Sequence, residues 1–293
     1  MSRLRRSVLF VPGTRPERIA KAAGLEVDGV ILDLEDAVPA GQKAQAREWV
    51  VAALRRVRFG GRERIVRVNP PETPAGAADL DAVVGAGPDA LLLPKVAEPD
   101  ALARVDAAVA ALERRAGRPA GAIRFHLLIE TVAGLLRLEA LARASARTAA
   151  LFYGAGDLAR ETRARLVPDR FTELVAMTQV VLVARATGLD AIDTPCFTLH
   201  QPDVLEAHTR LAVDLGFDGK ALIHPTQIDV ANRAFTPSAD AVAEAERVVA
   251  AYEQAAAGGS GALALAGHFI DAVHVQIARD TLARAALARR GGS

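Results

Sequence analysis

The chain has 293 residues, 51% of them hydrophobic and 24% charged, which is typical of a folded globular protein and argues against disorder. Its 36 basic and 35 acidic side chains leave a formal net charge of +1, so charge gives no reason to expect nucleic acid or a membrane surface as partner. The length suits one α/β barrel of roughly 250 residues with an extension, or two average domains.

The first residues and the cysteine content indicate where the protein works. The basic start is followed by an apolar run of only residues 8–11 before Pro12, too short for the core of a signal peptide. No stretch approaches the roughly 20 apolar residues of a membrane span. The single cysteine, Cys196, excludes an intramolecular disulfide. We therefore expect a cytoplasmic protein.

Short apolar runs alternate with helical patterns along most of the chain. Nearly continuous apolar runs are typical of parallel strands that are covered on both faces. Eight such runs predict strands at Ser7–Val11, Gly29–Leu34, Arg64–Val68, Ala90–Leu93, Arg124–Ile129, Ala149–Tyr153, Ala191–Asp193 and Lys220–Ile223.

Helix signals separate these strands. One helix is predicted to begin near Pro99 and to end at Gly117, and another to run from Pro202 to Gly216. Eight strands with helices between them predict a TIM (β/α)₈ barrel over residues 1–237. An open doubly wound sheet is the competing architecture, but no G-x-G-x-x-G follows the first strand.

The pattern changes after the eighth strand. Residues 238–257 predict one Ala-rich helix, residues 258–261 a flexible link, and a last helix extends to about Arg290. We expect residues 238–293 to form a C-terminal helical extension that docks on a neighbouring subunit.

Polar residues stand where the predicted strands end. Barrel enzymes place their chemistry at the carboxyl ends of their strands. Each residue alone has an ordinary explanation as a cap or turn residue, but a ring of carboxylates with an Arg and a Lys predicts a pocket for a hard cation and an anionic substrate. These residues are Asp33, Glu35, Asp36, Arg67, Asn69, Lys95, Glu130, Asp157, Asp193 and His224.

Glu130 and Asp157 form the best-placed pair for Mg²⁺, which commonly binds two carboxylates with water and substrate oxygens. Zinc is disfavoured because His and Cys do not cluster at ligand spacing. His126 lies in the middle of a strand and is predicted to be an interior or interface residue. Catalysis by Cys196 is disfavoured because no histidine is paired with it in the sequence.

These motifs resemble the citrate lyase beta-subunit-like family, within the HpcH/HpaI aldolase/citrate lyase superfamily that includes malyl-CoA and citramalyl-CoA lyases. Their order and rough spacing agree over residues 6–290. The matching segments are RSVLFVPGTRPER (6–18), LDLEDAVP (32–39) with Lys43 and Arg47, VRVN (66–69), LPK (93–95), LIET (128–131), GAGDL (154–158), AID (191–193), GFDGKALIHPTQ (216–227) and GHFID (267–271).

The resemblance implies a role for several residues. It implies Mg²⁺ held by Glu130 and Asp157, with Arg67 and Glu130 at the substrate and Arg67 on the thioester carbonyl or keto-acid oxygens. Asp271 would reach a neighbouring subunit's site as acid/base, with Glu35 and Asp36 as further catalytic candidates. The candidates for coenzyme A contacts are Phe10, Arg15, Lys21, Lys43 and His224.

Other expectations qualify this assignment. Lys95 is expected to pair with Glu35 or Asp36. Gly156 stands where family members often have Glu, which leaves the exact substrate open. Residues 272–274 differ from the usual sequence after Asp271, so we expect the loop around Asp271 to sit differently. The family implies a homotrimer or homohexamer.

We therefore expect a Mg²⁺-dependent lyase that cleaves or forms a 3-hydroxyacyl-CoA, with acetyl-CoA and a small 2-oxo acid as the other reactants. Three alternatives remain open: a citrate lyase beta subunit acting on citryl-acyl-carrier protein, a metal-dependent aldolase for free 2-oxo acids, and an inactive barrel that serves as a binding module. We expect neither nucleic acid nor membrane as a partner.

Overall fold

The computed structural model describes residues 3–291. Eight parallel strands close into a barrel in chain order, and β1 pairs with both β2 and β8. This closure confirms the predicted (β/α)₈ barrel and rules out the open sheet. The strands are β1 Ser7–Pro12, β2 Gly29–Asp33, β3 Glu63–Arg67, β4 Ala90–Leu93, β5 Arg124–Ile129, β6 Thr148–Tyr153, β7 Asp190–Asp193 and β8 Gly219–Leu222.

Helices follow the strands, and many begin or end at the residues that the sequence indicates. Proline opens α1, α3, α4 and α9, and Gly216 closes α9 in the left-handed region at φ 96°. The helices are α1 Pro16–Ala22, α2 Lys43–Arg56, α3 Pro74–Val84, α4 Pro99–Arg115, α5 Val132–Leu136, α6 Leu138–Arg143, α7 Ala155–Thr162, α8 Leu174–Thr187, α9 Pro202–Leu215, α10 Ile228–Ala234, α11 Ala239–Ala257 and α12 Ala272–Gly291.

An apolar core fills the middle of the barrel. Its side chains alternate along the strands, as inward-facing positions should. They include Val8, Ile31, Ile65, Leu92, Leu128, Phe152, Ile192 and Ala221. Polar residues lie on both sides of this core, near the amino-terminal and the carboxyl-terminal strand ends.

The polar cluster near the amino-terminal ends is closely paired. Nε and Nη2 of Arg5 donate to Glu63 at 2.7 and 2.8 Å, and Arg5 also pairs with Asp190. His126 is fully buried, as predicted, with Nε2 3.5 Å from Oε1 of Glu63. Burial would raise the pKa of Glu63, but His126 and Arg5 hold it well below its usual range. Glu63 at this end of the barrel is thus directly paired with Arg5, whereas burial raises the pKa of the neighbouring Asp190.

Residues 3–291 divide into two compact units, one covering residues 5–232 and the other combining residues 3–4 with the residues from Arg233 onwards. In the second unit α11 and α12 share a core with β9 (Ala262–Leu265) and β10 (His268–Asp271), which form an antiparallel hairpin. The sequence analysis missed this hairpin and predicted only helices and a link. Docking of this unit on a neighbouring subunit stays a prediction.

The hairpin turn has a recognisable physical basis. Ala266 and Gly267 both have positive φ, 50° and 83°, as the two central residues of a type I′ turn do. The Ala-Leu-Ala-Leu run of β9 hides the strand, because alanine and leucine favour helices. In the same stretch Gly258 ends α11, and Ser238 begins it by accepting a hydrogen bond from the N–H of Ala241.

Within residues 3–291, no helix combines the length and the hydropathy needed to cross a membrane.

Candidate active site

A cavity of about 430 Å³ opens at the carboxyl-terminal strand ends, where the sequence predicts the pocket. Aromatic rings of Phe10, Phe152, Tyr153 and Phe197 form part of its wall. Its charged lining residues all come from the polar strand ends noted in the sequence: Asp33, Asp36, Arg67, Glu130 and Asp157. The structure therefore brings five of the predicted site residues, namely Phe10, Asp36, Arg67, Glu130 and Asp157, to one cavity together with Asp33.

Arg67 is held rigidly at the end of β3. Asp33 and Arg67 are register partners on β2 and β3, and the guanidinium donates to both carboxylate oxygens of Asp33 at 2.7 and 2.6 Å. Its carbon Cζ also lies 5.0 Å from the ring centre of Phe10. A bidentate pair of this kind fixes the plane of the guanidinium. Asp33 is thus the anchor of Arg67, whereas the sequence predicts only that it belongs to the ring of polar residues at the strand ends.

Glu35 and Lys95 extend this network towards β4. Nη1 of Arg67 lies 2.9 Å from Oε2 of Glu35, and Nζ of Lys95 donates to Oε1 of Glu35 at 2.5 Å. Lys95 also lies 3.7 Å from the more exposed Asp36. The predicted pairing of Lys95 with these carboxylates is confirmed. Burial raises the pKa of Glu35 despite the nearby Arg67 and Lys95.

Glu130 is the acid of the site whose pKa is shifted furthest from its usual value. It follows β5, is only 4% exposed, and its Oε1 accepts a hydrogen bond from the backbone N–H of Lys95 at 3.0 Å. Burial, together with the negative charges of Glu35 and Asp157, raises its pKa to about 8. A Cβ at Gly154 would lie 2.5 Å from Cβ of Glu130, so only glycine lets the end of β6 pass this side chain.

Asp157 lies in the first turn of α7, directly after β6. Its side chain is 28% exposed, and its Oδ1 contacts the exposed Arg160 at 3.3 Å. A surface pair of this kind contributes little stability and leaves the carboxylate available to a ligand.

The charges of the cavity fit a divalent cation. Among residues 3–291 no three His, Cys, Asp or Glu side chains are grouped as a self-sufficient metal site. Mg²⁺ does not require one, because it commonly binds one or two carboxylates and completes its shell with water and substrate oxygens. The carboxylates that line the cavity are Asp33, Asp36, Glu130 and Asp157, and the cation among its lining residues is Arg67. Burial and the charges of Glu35 and Asp157 raise the pKa of Glu130, and a bound cation would offset these effects.

The residues predicted to contact coenzyme A lie in different environments. Phe10 lines the cavity, whereas Arg15 and Lys21 are exposed on the segment of α1. Nζ of Lys43 donates to the carbonyls of Leu34 and Glu35 and to Oδ1 of Asn69 at 2.6–3.0 Å. An ammonium group has three protons, so this geometry favours a structural role for Lys43 in holding the loop after β2.

The remaining predicted residues act as caps in this structure. Nδ1 of His224 contacts the hydroxyl of Thr226 at 2.8 Å, at the start of the 3₁₀ turn Pro225–Gln227. Oδ1 of Asp271 accepts from the backbone N–H of Val273 at 3.0 Å and contacts Nδ1 of His274 at 2.7 Å. The hydrogen bond from His274 lowers the pKa of Asp271, so this carboxylate is ionised at neutral pH. Asp271 belongs to the C-terminal unit and opens α12.

A closed (β/α)₈ barrel with excess carboxylates and an anchored arginine at its catalytic face has the features of a metal-dependent enzyme that acts on acidic substrates. Residues 6–225 match the HpcH/HpaI aldolase/citrate lyase family. The chain belongs to this family, which the resemblance predicts.

Relatives within the family carry two kinds of name. A (3S)-malyl-CoA thioesterase of Cereibacter sphaeroides is 38% identical over 280 residues, which cover 96% of this chain and 94% of that protein. A citrate lyase subunit beta of Leuconostoc mesenteroides subsp. cremoris is 35% identical over 269 residues, covering 92% and 89%.

Solved structures show the same fold. The CitE protein of Mycobacterium tuberculosis, in complex with magnesium, acetoacetate and coenzyme A, has a TM-score of 0.79 and 30% identity over 97% of this chain and 99% of that one. A citrate lyase of Burkholderia xenovorans has a TM-score of 0.86 over 97% and 92% of the two chains, and at 21% identity this is a likeness of fold alone.

Proposed function

We propose that this protein is a Mg²⁺-dependent carbon–carbon lyase that cleaves, or in reverse forms, a 3-hydroxyacyl-CoA of the malyl-CoA or citramalyl-CoA type. The products of cleavage would be acetyl-CoA and a 2-oxo acid. The observation that carries the proposal is the excess of carboxylates around Glu130 and Asp157, facing the same cavity as Arg67. A related CitE protein that binds magnesium and coenzyme A supports it.

Glu130 and Asp157 are the residues that would hold the metal ion. When bound, Mg²⁺ would supply positive charge to the hydroxyl and carboxylate oxygens of the substrate and favour loss of the hydroxyl proton. Glu130 would bind the ion as a carboxylate, so its raised pKa means that it would first have to give up a proton at neutral pH.

Arg67 would stabilise the negative charge that develops on the thioester oxygen when the carbon–carbon bond breaks. Its Nε and Nη2 donate to Asp33, which uses two of its five N–H groups, while Nη1 forms an ion pair with Glu35 at 2.9 Å. Its other N–H groups can donate to a substrate oxygen without any movement of the arginine. Preorganised donors of this type lower a barrier by roughly 3–4 kcal/mol.

Proton transfer would fall to carboxylates. Asp36 lines the cavity and is more exposed than Glu35, which Arg67 and Lys95 occupy. We propose Asp271 of a neighbouring subunit as the acid/base, in a homotrimer or homohexamer. Its ionised state suits the acceptance of a proton.

The test is a product analysis with the metal-free protein. Malyl-CoA and citramalyl-CoA are incubated with and without Mg²⁺, and acetyl-CoA and the 2-oxo acid are measured by liquid chromatography. We expect both products in equal amounts, only with metal, and none from Glu130→Ala. Full turnover in excess chelator would contradict the proposal.

A second reaction is favoured by the relatives named malyl-CoA thioesterase. Hydrolysis of the thioester would release free coenzyme A and the hydroxy acid, and the carbon–carbon bond would remain intact. A thiol reagent added to the same reaction mixtures distinguishes the two. Free thiol with no 2-oxo acid identifies a thioesterase, whereas acetyl-CoA with no free thiol identifies a lyase.

The relatives named citrate lyase subunit beta leave the carrier of the acyl group to be determined. We propose coenzyme A, because Phe10 at the cavity and the basic Arg15 and Lys21 lie on the first strand and the helix segment that follows it. Calorimetric titration with free coenzyme A should show binding. The absence of any affinity would favour an acyl-carrier protein instead.

A further inference from the structure

The backbone of Lys95 adopts an unusual conformation beside the candidate metal site. Its φ is 55°, in the left-handed region that a lysine rarely occupies. Strained residues of this kind persist only where the surroundings impose them, and they concentrate at functional sites.

The left-handed turn directs two donors of one residue at two different carboxylates. The backbone N–H of Lys95 donates to Oε1 of Glu130 at 3.0 Å, while its ammonium group reaches Glu35 at 2.5 Å. Pro94 precedes it and has no N–H. Lys95 thus supplies the first backbone donor after β4.

The segment around Lys95 is held from the far side as well. A Cβ at Gly134 would lie 2.3 Å from the carbonyl oxygen of Val96, so the start of α5 packs directly against the residue after Lys95. The hydroxyl of Thr131, next to Glu130, lies 3.4 Å from the same oxygen. The turn is therefore fixed relative to the end of β5.

Glu130 has only one oxygen committed to the protein. Oε1 accepts the Lys95 N–H, and no hydrogen bond from residues 3–291 reaches Oε2. The close approach of Gly154 to Cβ of Glu130 limits the side chain from the other side. One oxygen is thereby held, and the other is left for a ligand in the cavity.

We propose that the left-handed backbone of Lys95 is a positioning device that orients Glu130 for a divalent cation. The proposal rests on the proposed function, because it assumes that Glu130 holds the metal ion. It assigns the effect to the backbone N–H and separates it from the charge of the lysine side chain.

Two neutral substitutions of similar size test this assignment. Lys95→Asn removes the ammonium group, and asparagine tolerates the left-handed backbone conformation at this position. Lys95→Val also removes the ammonium group, but its branched side chain is strongly disfavoured there, so the N–H should turn away from Glu130. Lys95→Ala, with a milder penalty, is expected to lie between them.

The measurement is Mg²⁺ binding to the full-length, metal-free protein by isothermal titration calorimetry, with thermal unfolding as the check on folding. Loss of a neighbouring positive charge should tighten Mg²⁺ binding, so Lys95→Asn is expected to bind at least as well as the wild type. Lys95→Val is expected to bind roughly 10–100-fold more weakly, as losing an orienting partner of a metal ligand typically does.

The Mg²⁺ affinities of the variants decide whether the backbone of Lys95 orients Glu130. Equal affinities of the folded Asn and Val variants would overturn the positioning role while leaving the metal site and the proposed function intact. Should the Val variant fail to fold, an Ala variant that binds as tightly as the Asn variant has the same meaning. If the wild type binds no Mg²⁺, the proposed function and the positioning role both fail.

Discussion

The two ends of the barrel interior both bury charged side chains, but they balance their charges differently. At the amino-terminal end Arg5 faces Glu63 and Asp190, and the pKa of Glu63 is held low. In the cavity at the carboxyl-terminal end the lining carboxylates outnumber the lining cations, and the pKa of Glu130 rises to about 8. A carboxylate with satisfied partners serves the fold, whereas one without them is poised for a ligand.

The comparison gives a physical criterion for function in this chain. Burial alone does not distinguish Glu63 from Glu130, since both are less than 5% exposed. The surrounding charges distinguish them. Substitutions at the two ends should therefore have opposite consequences for activity and stability.

Glu130→Gln should have the largest effect on activity. Without this carboxylate we expect kcat/KM to fall by at least the roughly 100–1000-fold that the loss of one transition-state donor costs. The same change should stabilise the metal-free protein above pH 8, because it removes a buried charge that lies near Glu35 and Asp157. Steady-state kinetics and urea unfolding at pH 9 measure both effects. A less stable metal-free variant would contradict the comparison.

Glu63→Gln should lower the stability of the protein and leave its activity unchanged. Removing this carboxylate leaves Arg5 buried with only Asp190 as a charged partner, and breaking a buried ion pair typically costs about 3–5 kcal/mol. The free energy of unfolding from urea titration should fall by this order, with kcat of the folded protein unchanged. The control is Asp81→Asn, which removes the exposed partner of Arg115 and should cost less than about 1 kcal/mol. Equal losses in the two variants would refute the structural role of Glu63.

Arg67→Lys tests the geometry of the candidate site at constant charge. Lysine cannot reproduce the bidentate contact with Asp33, so we expect kcat to fall about 100-fold, with little change in Mg²⁺ affinity. Arg64→Lys is the matched control, because Arg64 lies on the same strand and pairs with Asp89 outside the cavity. A kcat for Arg67→Lys close to that of this control would show that the orientation of Arg67 is unimportant.

The smallest expected effect is the pH dependence of metal binding. The pKa of Glu130 is raised from its ordinary value of 4.5 to about 8, so below pH 8 this carboxyl is protonated in the metal-free protein. Mg²⁺ must then displace a proton, and its affinity should fall by up to tenfold for each pH unit below 8. Stability of the metal-free protein should change in the same window: the contribution of the neutral carboxyl is complete below pH 4.5 and is lost as pH rises through 8.

Calorimetry in two buffers of different ionisation enthalpy counts the protons released. We expect one proton per Mg²⁺ at pH 7 and almost none at pH 9. Proton release that does not differ between these pH values would contradict the assignment of the raised pKa to Glu130.

The sequence predicts most of the fold because buried parallel strands leave continuous apolar runs. The strands Ala90–Leu93 and Arg124–Ile129 have the predicted bounds, and the other six begin and end within one residue of them. The hairpin of the C-terminal unit is missed, since its helix-favouring residues outweigh the turn signal of Ala266 and Gly267.

The topology of the barrel also allows part of the site to be predicted from the sequence. Residues at strand ends must meet at one rim of a parallel barrel, so the position of Glu130 and Asp157 follows from topology. Pairings across strands depend on register, and the sequence does not reveal that Asp33 lies opposite Arg67. Neither does it indicate that Lys43 uses its protons within the protein, because its acceptors lie on two different strand ends.

The most direct test of the metal site is a crystal structure of the protein soaked in Mn²⁺, with anomalous scattering used to locate the ion. Carboxylate oxygens of Glu130 and Asp157 should lie roughly 2.0–2.2 Å from a single anomalous peak, the distance that Mg²⁺-type sites require. A peak at other residues, or no peak in the cavity, would contradict the assignment of these two carboxylates.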